Sequence, residues 1–380
     1  MSGTASSVDP AAVDEAWRRT CELVDIESVS FAEGPIVARI EAELGAMAHL
    51  EVTRVGDNLV ARTTRGRRHR LVMAGHTDTV PVNGNHPGRL EPDHPDGPRL
   101  RGVGSADMKS GLAVMLTSAG RHCDAEVDLT YVFYAREEVA AADSGLGELI
   151  AARADLLAGD LAVLGEPTDG AVEAGCQGSI RAEVVLRGVR AHTARAWKGV
   201  NAVHRAAPVL GALGAYRPRR PMIAGCRFHE AMLCVGITGG VSGNVVPDEV
   251  TLTVAHRFAP DRDLATAEAH LREVLEVHLH DEDELRIVDR ASAASPAVDH
   301  PWVKALIDRR GLDVAAKLGW TDVARFAELG IPAVNLGPGD ATVAHTQGEF
   351  VTRDSVARTW SAMDDLVHIA SGAAHAAGNA

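Results

Sequence analysis

Seven residues suited to acid–base or metal chemistry stand in short polar segments, at the end of an apolar strand, at the start of a helix or in a loop beyond a strand. His76 and Asp78 close the run Leu71-Val72-Met73-Ala74 in the stretch AGHTDTVP (74–81), and Asp107 sits in Gly104-Ser105-Ala106-Asp107-Met108-Lys109. Glu137 and Glu138 follow the apolar segment 128–134, Glu166 follows 161–165, and His345 lies in Ala344-His345-Thr346 beyond Gly337-Pro338-Gly339. Two imidazoles and several carboxylates, with no cysteine among them, suit zinc, manganese or cobalt. Taken as ligands, His76, Asp107, Glu138, Glu166 and His345 are too many for one tetrahedral zinc. Two metals sharing the carboxylate of Asp107 fit better, each with one histidine, one terminal carboxylate, half of the bridge and a position for water. Paired metals polarise a carbonyl and lower the pKa of bound water toward ~7. A hydrolysis then needs a base, and Glu137, beside ligand Glu138 but pointing differently, serves. Asp78 accepts the second N–H of His76 and fixes its tautomer. Each motif alone is weak, since a histidine after a strand is usually structural, Glu-Glu is usually solvated and Gly-Glu-Pro is a turn. The reading rests on their joint occurrence.

The elements that must position these residues follow from patterning. Asp9-Pro10 caps a helix to about Ile26, and 34–49 repeats a helical period. Residues 51–63 and 71–75 read as strands, 83–101 as a Pro/Gly-rich loop, and Met108 to Cys123 as a helix. Strands at 128–134 and 161–165 flank a helix at 143–158. Alternation of strand and helix predicts an α/β sandwich with a mostly parallel central sheet flanked by helices. In such sheets ligands gather outside the carboxyl ends of the strands, so folding is expected to bring His76, Asp107, Glu137, Glu138, Glu166 and His345 into one crevice. After Gly175 the texture changes. Strands at 179–187, 232–238, 249–258 and 285–290, with helices at 200–215 and 264–278, predict a small antiparallel sheet with helices on one face. Helices at 301–310, 321–329 and 353–370 and a strand at 332–336 then resume the first pattern. The predicted organisation is a catalytic domain in two parts, 1–176 and 292–380, with an inserted α+β, ferredoxin-like domain at 177–291.

Bulk properties agree with a soluble enzyme of two domains. The chain has 380 residues, 46% hydrophobic and 24% charged, more than one hydrophobic core usually holds. The net charge of −14 repels phosphate backbones, so no nucleic-acid partner is expected. The basic run 65–70 and the acidic run 281–284 read as solvated turns. Five cysteines, an odd count without CxxC spacing, argue against a disulfide framework and for a reducing compartment. Met1–Pro10 lacks an apolar signal region and no window reaches ~18 apolar residues. A cytoplasmic location with no membrane partner is expected.

HTDTVP, Gly-x-x-Asp-Met-Lys-Ser-Gly, Glu-Glu, Gly-Glu-Pro-Thr, Thr-Asp-x-x-Arg-Phe (321–326) and Gly-Pro-Gly…Ala-His-Thr (337–346) together resemble the dinuclear-zinc aminoacylase and carboxypeptidase family, over nearly the whole chain and in order. The resemblance implies a zinc-peptidase-like fold and two Zn2+ per chain, with Co2+ or Mn2+ as substitutes. It also implies a cis peptide after the bridging Asp107, and it assigns His76, Asp107, Glu138, Glu166 and His345 as ligands, Glu137 as base and Asp78 as orienting residue. Within the family, LGEPTDGAVEAGCQGSIR (164–181), RAHTARAW (190–197), GGVSGNVVPD (239–248), RFAPDR (257–262) and GWTDVARFAELGIPAVNLGPGD (319–340) resemble actinobacterial succinyl-diaminopimelate desuccinylases.

That resemblance implies hydrolysis of N-succinyl-LL-2,6-diaminopimelate, in the pathway to lysine and peptidoglycan precursors. It implies a homodimer formed through the inserted domain, which also acts as a lid. His192 would reach the partner's site and hold the oxyanion, with an exposed loop histidine as the competing reading. Asn244 would support the same pocket or merely form its turn. Arg257 and Arg325 would hold substrate carboxylates, with bidentate geometry available to both. Arg325 is also readable as a structural ion-pair partner, and Ser179 as a carboxylate donor or an ordinary strand start. Gln177, where other desuccinylases have a basic residue, and the lack of a proline after His192 bear on the acyl pocket. They keep open an acetylornithine-type deacetylase, a dipeptidase or a deacylase of a secondary-metabolite intermediate.

Overall fold

The computed structural model describes residues 9–376, so the amino terminus read as lacking a signal region lies almost wholly outside the described residues. The chain divides into two compact units, residues 1–175, 296–316 and 325–380, and residues 176–295 with 317–324.

The first unit begins with α1 (Pro10–Val24) and α2 (Gly34–Gly45), then β1 (Glu51–Val55), β2 (Asn58–Arg62), β3 (Arg70–His76), β4 (Arg89–Glu91) and β5 (Arg99–Arg101). It continues with α3 (Ser110–Arg121), β6 (Asp128–Tyr134), α4 (Gly145–Arg153), β7 (Leu161–Leu164) and β8 (Val172–Ala174). The chain later adds α7 (Pro301–Arg310), β17 (Val314–Ala316), most of α8 (Val323–Glu328, whose first two residues belong to the second unit), β18 (Ala333–Asn335), β19 (Phe350–Thr352) and α9 (Arg353–Ala376). Asp9 caps α1, its Oδ1 accepting the Ala11 N–H at 3.0 Å. Eight strands form one sheet in the order β1-β2-β6-β3-β7-β18-β8-β17. The four central strands β6, β3, β7 and β18 run parallel. Every residue of β6 and β7 is buried, and all of β3 after Arg70. Burial without alternation means both faces of the sheet are covered, the usual condition of a parallel sheet. α3 is buried from Ser110 to Ala119 and packs on β3, α1 and α9.

The second unit carries β9 (Gly178–Arg187), β10 (Ala191–His192), α5 (Ala202–Ala215), β11 (Met222–Ile223), β12 (Cys226–Arg227), β13 (Ala231–Gly239), β14 (Val245–Val246), β15 (Glu249–Phe258), α6 (Leu264–Glu276) and β16 (Glu284–Ala291). Its main sheet has the order β13-β15-β9-β16, every pair antiparallel. Together with α5 and α6 this is the β-α-β-β-α-β arrangement of ferredoxin-like folds. Strand β15 alternates, with Val250, Leu252, Val254, His256 and Phe258 buried, and packs those residues into a core with Leu271 and Leu275 of α6 and Val209 of α5.

Four sequence expectations, on the strand at 51–63, the loop at 83–101, the helix at 143–158 and the start of the helix at 108, need correction. The single strand at 51–63 is a hairpin, because Gly56, at φ 59°, and Asp57 form a two-residue turn between Val55 and Asn58. Gly-Asp is a hairpin signal, since the turn needs positive φ. The loop 83–101 contains β4 and β5, which join β19 in a three-stranded sheet. The helix at 143–158 is α4 followed by a short 3-10 turn at Ala154–Leu157. Helix α3 starts only after a wide helical turn at Ser105–Lys109. All five cysteines are free. No helix among the described residues is long and apolar enough to cross a membrane. The basic run 65–70 is a turn between β2 and β3, where Asp128 accepts the N–H groups of Arg65 and Arg67 at 3.0 and 2.9 Å.

Candidate active site and metal centre

The register of the parallel strands brings distant residues level. His76 ends β3 opposite Tyr134 of β6, so Glu137 and Glu138 follow three and four residues past that pair. Ala74 of β3 pairs with Leu164 of β7, so His76 and Glu166 each stand two residues farther along. Asn335 of β18 pairs with Leu164 as well, and its loop leads on to His345. All four strands therefore deliver their residues to one carboxyl edge. The backbone comes close there: a Cβ on Gly337 would lie 2.2 Å from the Gly165 oxygen and 2.3 Å from that of Glu166. Only glycine fits such an approach.

Asp107 enters the same edge from the wide turn before α3, and its peptide bond to Met108 is cis. Its two oxygens face two imidazoles. Oδ1 is 3.0 Å from His76 Nε2, and Oδ2 is 3.4 Å from His345 Nε2. His345 Nε2 is also 2.7 Å from Glu138 Oε1. Ligand atoms of His76, Asp107 and Glu138 all lie within 4.8 Å of one another. Glu166 is 5% exposed at the end of β7. Residue His345 holds a left-handed backbone at φ 61°, and Arg136 one at φ 58°. Non-glycine residues in that region mark functional turns more often than chance allows.

Electrostatics follow from this crowding. Burial alone would push the Asp107 carboxyl up, but hydrogen bonds with His345 and His76 hold it well below the usual carboxylate range. The bonds to Asp107 and Glu138 push the His345 imidazole up to about 10. Burial pulls His76 down, and Asp107 and Asp78 more than reverse it. The cluster concentrates negative charge and takes up positive charge, whether protons or a divalent cation that displaces them. Imidazole and carboxylate donors with Asp107 facing both histidines fit a pair of borderline divalent ions.

His76 Nδ1 is 3.0 Å from the Asp78 main-chain oxygen and 3.5 Å from its Oδ1. The nearer orienting acceptor is thus the carbonyl, a partner that sequence alone cannot single out. The Asp78 carboxylate has a further task. Oδ1 accepts the Glu137 N–H at 3.0 Å, and Oδ2 accepts the Glu138 N–H at 3.1 Å and the Ser30 hydroxyl at 2.7 Å. A further residue of this edge is Glu349, whose Oε1 accepts the N–H groups of Ala106 and Asp107 at 2.9 and 3.1 Å. Burial pushes its carboxyl up to about 7. Glu349 is placed by β19 pairing with β5. Its only sequence signal was an acid four residues past His345. Lys109 was missed too: it is buried, donates to the Ile26 carbonyl at 2.6 Å and is pulled down to about 8 by burial.

The remaining candidates divide between the units. Arg325 lies in the first, donating to the Ala141 carbonyl at 3.2 Å. In the second unit, Arg257 of β15 pairs in register with Ser179 of β9. Arg257 is half-buried, and burial and the neighbouring Arg181 lower its pKa. Asp289 and the Cys176 thiol oppose that shift without reversing it. A half-buried guanidinium is suited to an anionic ligand. His192 is exposed, and its Nδ1 accepts the Ala194 N–H at 3.0 Å. That leaves Nε2 as the donor of the neutral ring. Asn244 is exposed; its carbonyl accepts the Thr193 N–H at 3.0 Å, and its Oδ1 accepts from Ser242 at 2.8 Å. It therefore anchors the turn that carries His192.

A parallel α/β sheet that gathers imidazoles and carboxylates at one carboxyl edge, joined to a ferredoxin-like unit, defines a metallohydrolase of the zinc-peptidase class. The model of Peptidase family M20/M25/M40 matches residues 72–368, and the chain belongs to that family. The succinyl-diaminopimelate desuccinylase of Corynebacterium glutamicum is 43% identical over 336 residues, 87% of this chain and 90% of its own. A Mycobacterium tuberculosis protein that carries the same name provisionally is 46% identical over 336 residues, 87% of this chain and 92% of its own. Among solved structures, a Staphylococcus aureus tripeptidase aligns with a TM-score of 0.76 at 21% identity, covering 94% of this chain and 98% of its own. A Bacillus subtilis protein, described as a dinuclear metal-binding peptidase of family M20, aligns with a TM-score of 0.67 at 15% identity, covering 94% and 98%. These neighbours share the fold. The family is metal-dependent, with dinuclear sites.

Proposed function

We propose that the chain hydrolyses N-succinyl-LL-2,6-diaminopimelate to succinate and LL-2,6-diaminopimelate, a step toward lysine and peptidoglycan precursors in the cytoplasm. The observation that carries the substrate is the 43–46% identity, over 87% of the chain, to proteins given that activity by name. His76, Asp107, Glu138, Glu166 and His345 hold two Zn2+ per chain, with Co2+ or Mn2+ as substitutes. When bound, such a pair polarises the scissile carbonyl and acidifies water. Glu137 takes a proton from the attacking water, whose oxygen bonds to the amide carbon, and returns it to the nitrogen as the C–N bond breaks. Asp78 keeps Glu137 and Glu138 in place through their main-chain N–H groups. His192 of the partner subunit in a homodimer donates from Nε2 to the developing oxyanion, an interaction worth ~3–4 kcal/mol. Arg257 with Ser179, and Arg325, receive the substrate carboxylates.

The test is release of succinate by the zinc-loaded protein from the N-succinyl substrate, set beside N-acetylornithine and a dipeptide panel. A kcat/KM at least ~100-fold higher for the succinyl compound is the expected result, about 2.7 kcal/mol of discrimination. Preference for an acetyl substrate or a dipeptide would retire the desuccinylase reading and leave the hydrolase chemistry in place.

A further inference from the structure

A second group of metal-ligating side chains lies away from the site above. His122 closes α3, and Asp364 and His368 stand one turn apart on α9. Their ligand atoms lie within 4.8 Å of one another. His122 Nε2 is 3.0 Å from Asp364 Oδ1, and His368 Nε2 is 3.8 Å from the same oxygen. These values bracket the ~3.4 Å edge of a tetrahedron with zinc bonds of ~2.0–2.1 Å. The group is no part of the first centre. Asp107 leads into α3 at its amino end and His122 closes its carboxyl end, and twelve helical residues span ~18 Å.

The surroundings select a cation. His122 Nδ1 is 3.2 Å from the Ser118 carbonyl and 3.0 Å from the Ser118 hydroxyl, which in turn is 3.1 Å from the Tyr131 hydroxyl. The carbonyl can only accept, and with a proton on Nδ1 the Nε2 lone pair faces the Asp364 carboxylate, an arrangement that a cation between them completes. With the Ser118 hydroxyl donating to Nδ1 instead, Nε2–H donates to Asp364. Nδ1–H on a carbonyl with Nε2 left for the ligand is how metal-bound histidines are oriented. The carboxyl end of a helix adds partial negative charge. Arg310, the nearest competing cation, is engaged by Asp365 at 2.5 Å. The His368 side chain is 59% exposed and can swing in from solvent.

We propose that His122, Asp364 and His368 bind one divalent ion of the zinc type, with water as fourth ligand, fastening the end of α3 to α9. The alternative occupant is a proton on Nε2, hydrogen-bonded to the Asp364 carboxylate. Zinc content after equilibrium dialysis of the full chain against micromolar free Zn2+ separates the two. Wild type should hold one more zinc per chain than His368→Gln or Asp364→Asn. Co2+ should quench the fluorescence of Trp360, whose ring stacks on His122 at 5.8 Å between centroids, in wild type and not in the variants. His368 is a surface residue, so His368→Gln folds even if Asp364→Asn does not. Equal zinc counts and equal quenching in wild type and His368→Gln overturn the proposal, whatever the total. The difference between the two proteins is independent of how many ions the first centre holds.

Discussion

Asp78 and Glu137 touch through a single hydrogen bond, yet their removal should have different consequences. Glu137 carries the proton and ligates nothing in the proposed scheme. Glu137→Ala should therefore lower kcat by ~10²–10⁴ while metal analysis still finds two ions per chain. Substantial residual turnover would show that another group is the base. Asp78 holds both Glu137 N–H and Glu138 N–H. Asp78→Ala leaves a base and a ligand without their anchor, so kcat and metal affinity should fall together, the latter ~10–100-fold. Chelator competition reads the affinity, and an unchanged value would limit Asp78 to orienting the base. At this scale the sequence disclosed residue types and little else. His76, Asp107, Glu138 and His345 stood out because they lie in short polar segments just past an apolar strand, just before a helix or in the loop that follows a strand. Glu349 was not, because its work lies in two main-chain N–H groups of a turn some 240 residues away in sequence, a contact that no local pattern records.

Elements were legible wherever burial imposed a period. Strand β15 alternates residue by residue and β6 is mostly apolar and buried throughout, and both are found where the pattern put them. Short strands such as β8, β17 and β19 were invisible because three residues carry no period; pairing with longer neighbours makes them. Periodicity also leaves polar residues inside. His256 points into the core of the second unit, its Nδ1 donating to the Ala231 carbonyl at 3.0 Å. Burial pulls its pKa below the ordinary value, with Ala231 and Glu230 opposing and His270 and Arg262 reinforcing. The folded pKa is thus depressed relative to the unfolded ~6.5. Above that value both states are neutral. As pH falls through it the unfolded chain binds a proton that the folded chain refuses, so stability is lost on acidification, at up to ~1.4 kcal/mol per pH unit. Denaturant titrations between about pH 7.5 and about pH 5.5 should show a fall in wild type that is shallower in His256→Gln. Parallel slopes would mean that other groups carry the pH dependence.

At the scale of the molecule, the ferredoxin-like sheet leaves β13 at its edge, paired on one side only with β15. An edge strand normally protects itself with charge, proline or brevity. β13 has nine residues with neither charge nor proline, and Leu233, Val235 and Ile237 are 47%, 56% and 54% exposed. Its register shifts between Cys234 and Gly236, a bulge that twists the strand without hiding it. Helix α5, which packs on β13, exposes Val203 and Leu210 beside it. An apolar edge of this length persists in a monomer only at the risk of open-ended association, whereas a second copy related by a twofold axis covers it and closes the assembly. The wild-type chain should therefore run in light scattering at twice its 40.0 kDa mass. Ile237→Lys should give the monomer, since charges placed on such an edge block pairing. If His192 acts in trans, the monomer should lose activity while keeping its metals, and mixing it with Glu137→Ala chains should not restore turnover through the damaged edge. A fully active Ile237→Lys monomer would place the oxyanion donor within the same chain.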